Sequence, residues 1–421
     1  MTPTHRDIFL RALRDIAADD SILDQVKTEV VFENSLMRKI SLSVIYGQYR
    51  RVLEGNPVLT DFHFSYRDPG DEQNAPISLH FDVQPGSRPL TNIHVLIGRN
   101  GVGKTTLLNN MVDAIISLPG AQKTLGRFYT SGLWTGEVPI SPTYFSCVVT
   151  VSFSAFDPFV PPTDQRAGGQ RAGYYYIGMK QRRIGSPSLP PKTEDDLIDD
   201  FVKSLGVCFG QPAKRARWLS AIKSLESDGN FSDMELGNLA ALSPEAALTS
   251  ARSLAKRMSS GHSIVLLTLT KLIDSVEEKT LVLMDEPESH LHPPLLSAFM
   301  RALSSLLQNR NGVAIVATHS PVVVQETPRS CVWKLTRLRT AGRTDRPETE
   351  TFGENVGVLT REIFGLEVSK AGFHAELEQA VQAGGGFDAI LAEYKEQLGF
   401  EAQGILRSLI ASRDATVSGS R

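Results

Sequence analysis

Asn92-Ile93-His94-Val95-Leu96-Ile97-Gly98-Arg99-Asn100-Gly101-Val102-Gly103-Lys104-Thr105-Thr106-Leu107 is an apolar run that breaks into glycines and resumes as a helical pattern. Gly98 to Thr105 fits G-x-x-x-x-G-K-[ST], and its flanks supply the context the pattern requires, a strand before and a helix after. The spacing predicts a buried strand over 92–97 and a helix from Lys104 to about Ser117, the first strand-loop-helix unit of a parallel sheet. Glycines at these positions let consecutive backbone N–H groups turn inward, and the helix presents its positive end to the same point. Such a loop holds phosphate. Gly98, Arg99, Asn100, Gly101, Val102, Gly103, Lys104, Thr105 and Thr106 are therefore the candidate nucleotide-binding residues, with ATP and Mg2+ as expected ligands. Lys104 is placed to bridge the β- and γ-phosphates, the Thr105 hydroxyl to ligate Mg2+, and Thr106 to touch phosphate.

Two further apolar runs end in chemically loaded residues. Leu281-Val282-Leu283-Met284-Asp285-Glu286-Pro287 delivers adjacent carboxylates, of which Asp285 can reach Mg2+ and Glu286 can accept a proton from an attacking water. Ala314-Ile315-Val316-Ala317-Thr318-His319-Ser320 ends in a histidine able to donate to the γ-phosphate. Earlier, Met258-Ser259-Ser260-Gly261-His262 opens an apolar helix, so Ser259, Ser260 and Gly261 offer N–H groups at its N-terminus, a second anion site or an ordinary serine cap. His290 and His292 stand two residues apart with no third ligand near them in sequence, and read as loop rather than as a metal site.

The 421 residues, 41% hydrophobic, suffice for one large α/β domain with insertions or for two medium domains. With 44 basic against 47 acidic side chains the net charge is −3, which excludes a uniformly basic nucleic-acid binder and leaves only local patches for DNA. Arg166, Arg171, Lys180, Arg182 and Arg183 around Tyr174–Tyr176, and Lys214, Arg215 and Arg217 beside Trp218, are such patches, though a solvated face over core tyrosines is the favoured reading, since Asp195, Asp196, Asp199 and Asp200 lie nearby in sequence. Arg337, Arg339, Arg343 and Arg346 suggest an exposed hairpin. Cys147, Cys208 and Cys331 are few, odd in number and dispersed, which suits a reducing cytoplasm better than a disulfide framework. His5, Arg6 and Asp7 interrupt the N-terminus where a signal peptide needs an apolar core, and no run approaches a membrane span. The organisation expected is a helical cap over 1–57, the loop-bearing half of an α/β core over 58–190, a helical insertion over 191–258, the remaining core over 259–336, and a mixed tail over 337–421. Within it, 60–66 and 77–83 read as a small antiparallel sheet, and 146–153 and 174–179 as further strands.

Taken together, the glycine-rich loop with Asn100-Gly101 inside it, the Ser259-Ser260-Gly261 turn, the strand ending in Asp285-Glu286 and the histidine His319 resemble the ABC-type ATPases in order and spacing. The resemblance implies a mixed, largely parallel sheet with an antiparallel β subdomain and a helical insertion. It also implies a head-to-tail nucleotide-sandwich dimer in which Ser259, Ser260 and Gly261 act in trans, with Glu286, His319 and Lys104 catalytic and Thr105 and Asp285 on the metal. Too few residues separate Lys104 from Ser259 for the long coiled-coil arms of chromosome-maintenance relatives. A glutamine contact to the metal is expected from Gln165 or Gln170, with Ser154 and Asp157 as competitors. Asp285 to Pro293 and Ala317 to Pro321 resemble the OLD-type, AAA-domain branch. Ser152 to Phe159, Thr351 to Asn355 and Leu359 to Glu367 are similar to the ATPase subunit of Septu-type and retron-linked anti-phage systems, which implies a separately encoded HNH nuclease as partner. The OLD-type nuclease domain needs an Asp-x-Asp pair, whereas the aspartates after His319 are Asp345, Asp388 and Asp414, so no intrinsic nuclease is expected. The alternative is an ATP-gated DNA clamp without a nuclease.

Overall fold

A computed structural model describes residues 3–37, 42, 45, 49, 53, 60–70, 75–84, 87–116, 126–132, 136–154, 159–165, 171–181, 190–338, 341–364 and 372–419. Two short helices, α1 (Pro3–Ala12) and α2 (Asp20–Val26), open the chain, and Ala17, Leu23, Phe32, Met37 and Ile45 form a small buried cluster beside them. Most of the helical cap expected over 1–57 that follows Met37 lies outside the described residues.

Among the described residues eleven strands follow, in two sheets. The smaller is antiparallel in the order β2-β1-β4-β5, built from β1 (Phe62–Asp68), β2 (Ile77–Val83), β4 (Arg127–Gly132) and β5 (Gly136–Pro139). The first two were legible because apolar residues alternate there; β4 and β5 carry no such alternation. The larger sheet has the order β11-β10-β3-β9-β8-β6-β7 and comprises β3 (Ile93–Ile97), β6 (Cys147–Ser152), β7 (Gly173–Gly178), β8 (Thr280–Asp285), β9 (Val313–Thr318), β10 (Val332–Leu338) and β11 (Ala341–Asp345). Every pairing in it is parallel except β10 with β11. Its inner strands are apolar on both faces because helices and the second sheet cover them, the usual condition of parallel strands. Helix α3 (Lys104–Ile116) packs against β8 and β9 of this sheet and β4 of the smaller one, through Leu107, Leu108, Met111 and Val112.

Between β7 and β8 the chain is helical: α4 (Glu194–Phe209), α5 (Pro212–Leu225), α6 (Gly229–Asp233), α7 (Pro244–Ala255) and α8 (Ser260–Ser275). Thr193 starts α4 with a reciprocal capping box to Asp196. Trp218 of α5 is fully buried and donates its indole N–H to Thr270 Oγ1 of α8 at 2.9 Å, which ties the insertion to the core. Helices α9 (Pro293–Asn309) and α10 (Pro321–Gln325) follow β8 and β9. The chain divides into two compact units, Met1–Glu354 and Asn355–Arg421. The second holds α11 (Val356–Phe364), α12 (Phe373–Ala383), α13 (Phe387–Glu393) and α14 (Phe400–Gly419), with Leu377, Val381, Ile390 and Leu406 buried together. Residue 337, where the sequence suggested that a tail begins, falls inside β10 of the main sheet.

The arginine-rich hairpin is present as β10–β11, but Arg346 at its end is not a surface decoration. Its guanidinium lies 3.6 Å over the Trp333 ring and donates to the carbonyls of Val332 and His80 at 3.0 and 3.2 Å. Most aromatic residues of the two basic patches are likewise committed elsewhere: Tyr174, Tyr176 and Trp218 are buried and cannot stack on a base, while Tyr175 is partly buried. Arg166, Arg182 and Arg183 lie outside the described residues. Among the described residues no helix is long and apolar enough to cross a membrane.

His94, in the middle of β3, is fully buried, meets the edge of Phe81 at 5.2 Å between ring centroids, and has no hydrogen-bond partner on either ring nitrogen among the described residues. Burial, aided by the charge of Arg346, pushes its imidazole down to about 3. The unfolded chain protonates the ring near the ordinary value of 6.5, so between those limits it binds more protons than the folded state. Stability therefore rises with pH across that window and is lost below about pH 6.5, by up to about 1.4 kcal/mol per pH unit. We expect His94→Leu to flatten that slope in denaturant unfolding between about pH 7 and pH 5; an unchanged slope would show that other groups set it.

Candidate functional site

The phosphate-binding loop depends on two features of its glycines. At Gly98 a Cβ would lie 2.4 Å from the Leu335 carbonyl oxygen of β10, so only glycine lets the neighbouring strand pass. Gly101 and Gly103 have φ of +81° and +93°, the left-handed region that turns successive amides towards one point. Lys104 then starts α3, its side chain almost wholly inside, and donates to the carbonyls of Gly98 and Arg99 at 2.8 and 3.1 Å. Burial lowers the Lys104 ammonium from its ordinary range, while the carboxylates of Glu286, Asp285 and Glu288 act in the opposite sense.

Those carboxylates arrive on β8. The parallel register sets Ile97 of β3 beside Thr318 of β9, and Asp285 of β8 beside Ala317, so three strand ends finish together. The Thr105 hydroxyl donates to Asp285 Oδ2 at 2.8 Å, joining residues 180 apart in sequence. Glu286 turns off the strand in the left-handed conformation, φ 47° and ψ 59°, and its amide donates to the Ala317 carbonyl at 2.8 Å. A non-glycine residue held there costs on the order of 1–3 kcal/mol, which the pairing of β8 with β9 must offset. His319 Nδ1 lies 3.5 Å from Glu286 Oε1 and 3.2 Å from Glu288 Oε1.

Glu288 is the residue that reading the sequence did not assign. It is mostly buried, and its Oε1 accepts from the His319 amide at 2.8 Å and from the Thr318 hydroxyl at 2.6 Å. The carboxylate thus holds the backbone of His319 and stands beside its ring. A possible signal is the spacing of Glu288 after Glu286 across a proline, which starts the 3-10 turn Pro287–His290. Lys104, Thr105, Asp285, Glu286 and His319 are therefore brought into one constellation. Gln165 is not among these contacts; its backbone forms an isolated bridge with Tyr174. Gln170 and Asp157 lie outside the described residues.

Ser259, Ser260 and Gly261 make a different set of contacts. Ser259 caps α8, both serines are exposed, and a Cβ on Gly261 would lie 2.4 Å from the His290 carbonyl oxygen, so the turn is closely apposed to the loop after β8. The Ser259 hydroxyl lies 2.6 Å from His262 Nδ1, and His262 Nε2 lies 3.2 Å from Asp228 Oδ1. His292 Nε2 lies 3.2 Å from Asp228 Oδ2. His292 has ligand-type neighbours from distant segments, Asp228 and His262, while His290 is not in the group.

Fold and site together give an α/β P-loop fold of ABC-ATPase-like type, with a mixed, mostly parallel sheet, an antiparallel sheet and helices. The family described as "AAA domain, putative AbiEii toxin, Type IV TA system" matches residues 244–325, a span that runs from α7 through the Ser259 turn, β8 and His319 to the end of α10. Protein ea59 of Escherichia phage lambda is 45% identical over 423 residues, covering 96% of this chain and 79% of that protein. The chain belongs to the ea59 family. Among solved structures, the ATP-binding cassette of an ABC transporter in its ADP conformation is 12% identical and covers 74% of this chain and all of its own, with a TM-score of 0.37. A part of the cbiONQ transporter complex from Clostridium perfringens is 15% identical, with 63% and 82% covered and a TM-score of 0.32. The strand order and the glycine loop carry the fold assignment.

Replacing Glu288 by alanine removes the acceptor of the His319 amide while leaving the loop and Lys104 in place. In steady-state ATPase assays we expect kcat to fall by about tenfold, less than the roughly 10²–10⁴-fold that a group transferring the proton itself contributes, with KM little changed. Equal loss in nucleotide affinity would instead make Glu288 a general support of the fold.

Proposed function

We propose that the chain is an ATP-hydrolysing subunit that works as a nucleotide-sandwich dimer and controls a separately encoded HNH-type nuclease in the contest between phage and host. The observation that carries the hydrolytic part is the Thr105–Asp285 hydrogen bond, which sets two hard oxygen ligands beside the phosphate loop. That pair, the inward-turned glycines and the buried ammonium of Lys104 suit Mg·ATP. Bound Mg·ATP supplies the scissile anhydride and the divalent charge that neutralises its oxygens.

The chain's own residues then divide the work. The loop amides and Lys104 hold the triphosphate, and Thr105 and Asp285 hold the cation. Glu286 accepts the proton of the attacking water, with its carboxylate beside His319. His319, held by Glu288, donates to the transferring phosphoryl group and orients the water. Ser259, Ser260 and Gly261, exposed at the head of α8, close on the γ-phosphate bound by a second copy. The resemblance of residues 152–159, 351–355 and 359–367 to Septu-type ATPase subunits supports the nuclease partner. A relative carried by Escherichia phage lambda supports a phage-related role.

Light scattering and turnover with Mg·ATP test both halves. Glu286→Gln should keep ATP bound, slow hydrolysis by roughly 10²-fold or more, and accumulate as a dimer that retains a nuclease encoded beside the gene. Lys104→Ala should lose nucleotide binding. Normal turnover in both variants would remove the site assignment; a monomer indifferent to nucleotide and nuclease would remove the sandwich and the partnership.

A further inference from the structure

The Asp228, His262 and His292 side chains come from three segments far apart in sequence: the cap of α6 in the helical insertion, the first turn of α8, and the residue before α9. Each offers one ligand atom, and the three atoms lie within 4.8 Å of one another. The two carboxylate-to-imidazole separations are both 3.2 Å. They run to different oxygens, His262 Nε2 to Oδ1 and His292 Nε2 to Oδ2, so the carboxylate lies between the two rings, and the three ligand atoms are close enough to share one small cation.

A second observation concerns the far side of His262. Its Nδ1 lies 2.6 Å from the Ser259 hydroxyl, which leaves Nε2 as the nitrogen facing Asp228 and His292. A ligating histidine characteristically has its other nitrogen engaged in this way, which sets tautomer and ring orientation. The Asp228 carboxylate is similarly fixed from behind, because its Oδ1 accepts from the amides of Asn230 and Phe231 at 3.0 and 3.2 Å. Asp228 and His262 are buried, whereas the His292 side chain is about half exposed, so entry to the group is from the His292 side.

We propose that Asp228, His262 and His292 bind a zinc-class divalent cation. Two imidazole nitrogens and one carboxylate suit zinc or cobalt rather than magnesium, which prefers an oxygen shell, and three protein ligands leave a fourth position for water or another donor. The ion ties the helical insertion to the Ser259 turn and to the loop after β8 in one step, and so fixes the segment that the dimer reading places against a partner's nucleotide. Binding of the ion stands apart from that reading and is measured without nucleotide.

The full chain, stripped with a chelator and free of nucleotide and Mg2+, is titrated with Co2+ and followed by visible absorption, with Zn2+ as competitor and equilibrium dialysis for stoichiometry. The expected result is one ion per chain with a tetrahedral or five-coordinate cobalt spectrum, displaced by Zn2+ and not by millimolar Mg2+. His292→Ala changes an exposed side chain, so its fold is retained, and it should weaken binding by at least about tenfold; Ser259→Ala, acting only on the outer contact, should weaken it by about tenfold as well. Asp285→Ala should bind cobalt as tightly as the parent, which separates this site from the one beside Thr105. Substoichiometric binding, displacement by Mg2+, or equal affinity in His292→Ala would overturn the proposal and leave a hydrogen-bonded network alone.

Discussion

Strand β9 pairs in parallel with β3 on one side and β8 on the other, and the chemistry of the molecule hangs on that double register. Parallel strands start and finish in step, so the loop after Ile97, the carboxylate at Asp285 and the histidine after Thr318 emerge at one edge of the sheet. A slip of one residue moves a side chain along the strand by about 3.3 Å and flips it to the other face, which would end the Thr105–Asp285 contact. What opposes the slip is close packing: every position of β3 and β9 is buried, so a shift would misfit side chains on both faces at once.

The same edge is crowded, and the crowding explains the residues that line it. Gly98 exists as glycine because β10 runs past it, and the left-handed Glu286 is tolerated because its amide closes onto β9. Helix α3 fills the space between the two sheets, and its apolar residues share a core with Phe62, Phe64, Tyr66, Phe81 and Phe128 of the smaller one. The antiparallel sheet is thus a structural support of the phosphate loop.

A second junction lies away from that edge. Trp218 and Thr270 hold the helical insertion against α8, and Asp228 reaches from the insertion to the first turn of the same helix. Gly261 meets the backbone of His290 there, so the loop that follows the catalytic-type carboxylates also abuts the Ser259 turn. Any movement of one is felt by the other through backbone contact, without a flexible side chain between them.

The sequence by itself determined the strand-loop-helix unit at 92–117, the acidic strand end at Asp285-Glu286 and the strand before His319, because each is written in contiguous residues: an apolar run of strand length followed by a residue type whose chemistry is specific. It left β4 and β5 unread, because Arg127–Gly132 and Gly136–Pro139 alternate weakly and are strands chiefly through pairing with β1 and each other. It took Arg346 for surface, since nothing local says that Trp333 and two carbonyls surround it. Only the tertiary structure decided that Glu288 anchors His319, and that Asp228 and His262 join His292. Those relations span 31, 34 and more residues and are set by strand register and helix packing, which short-range periodicity does not encode.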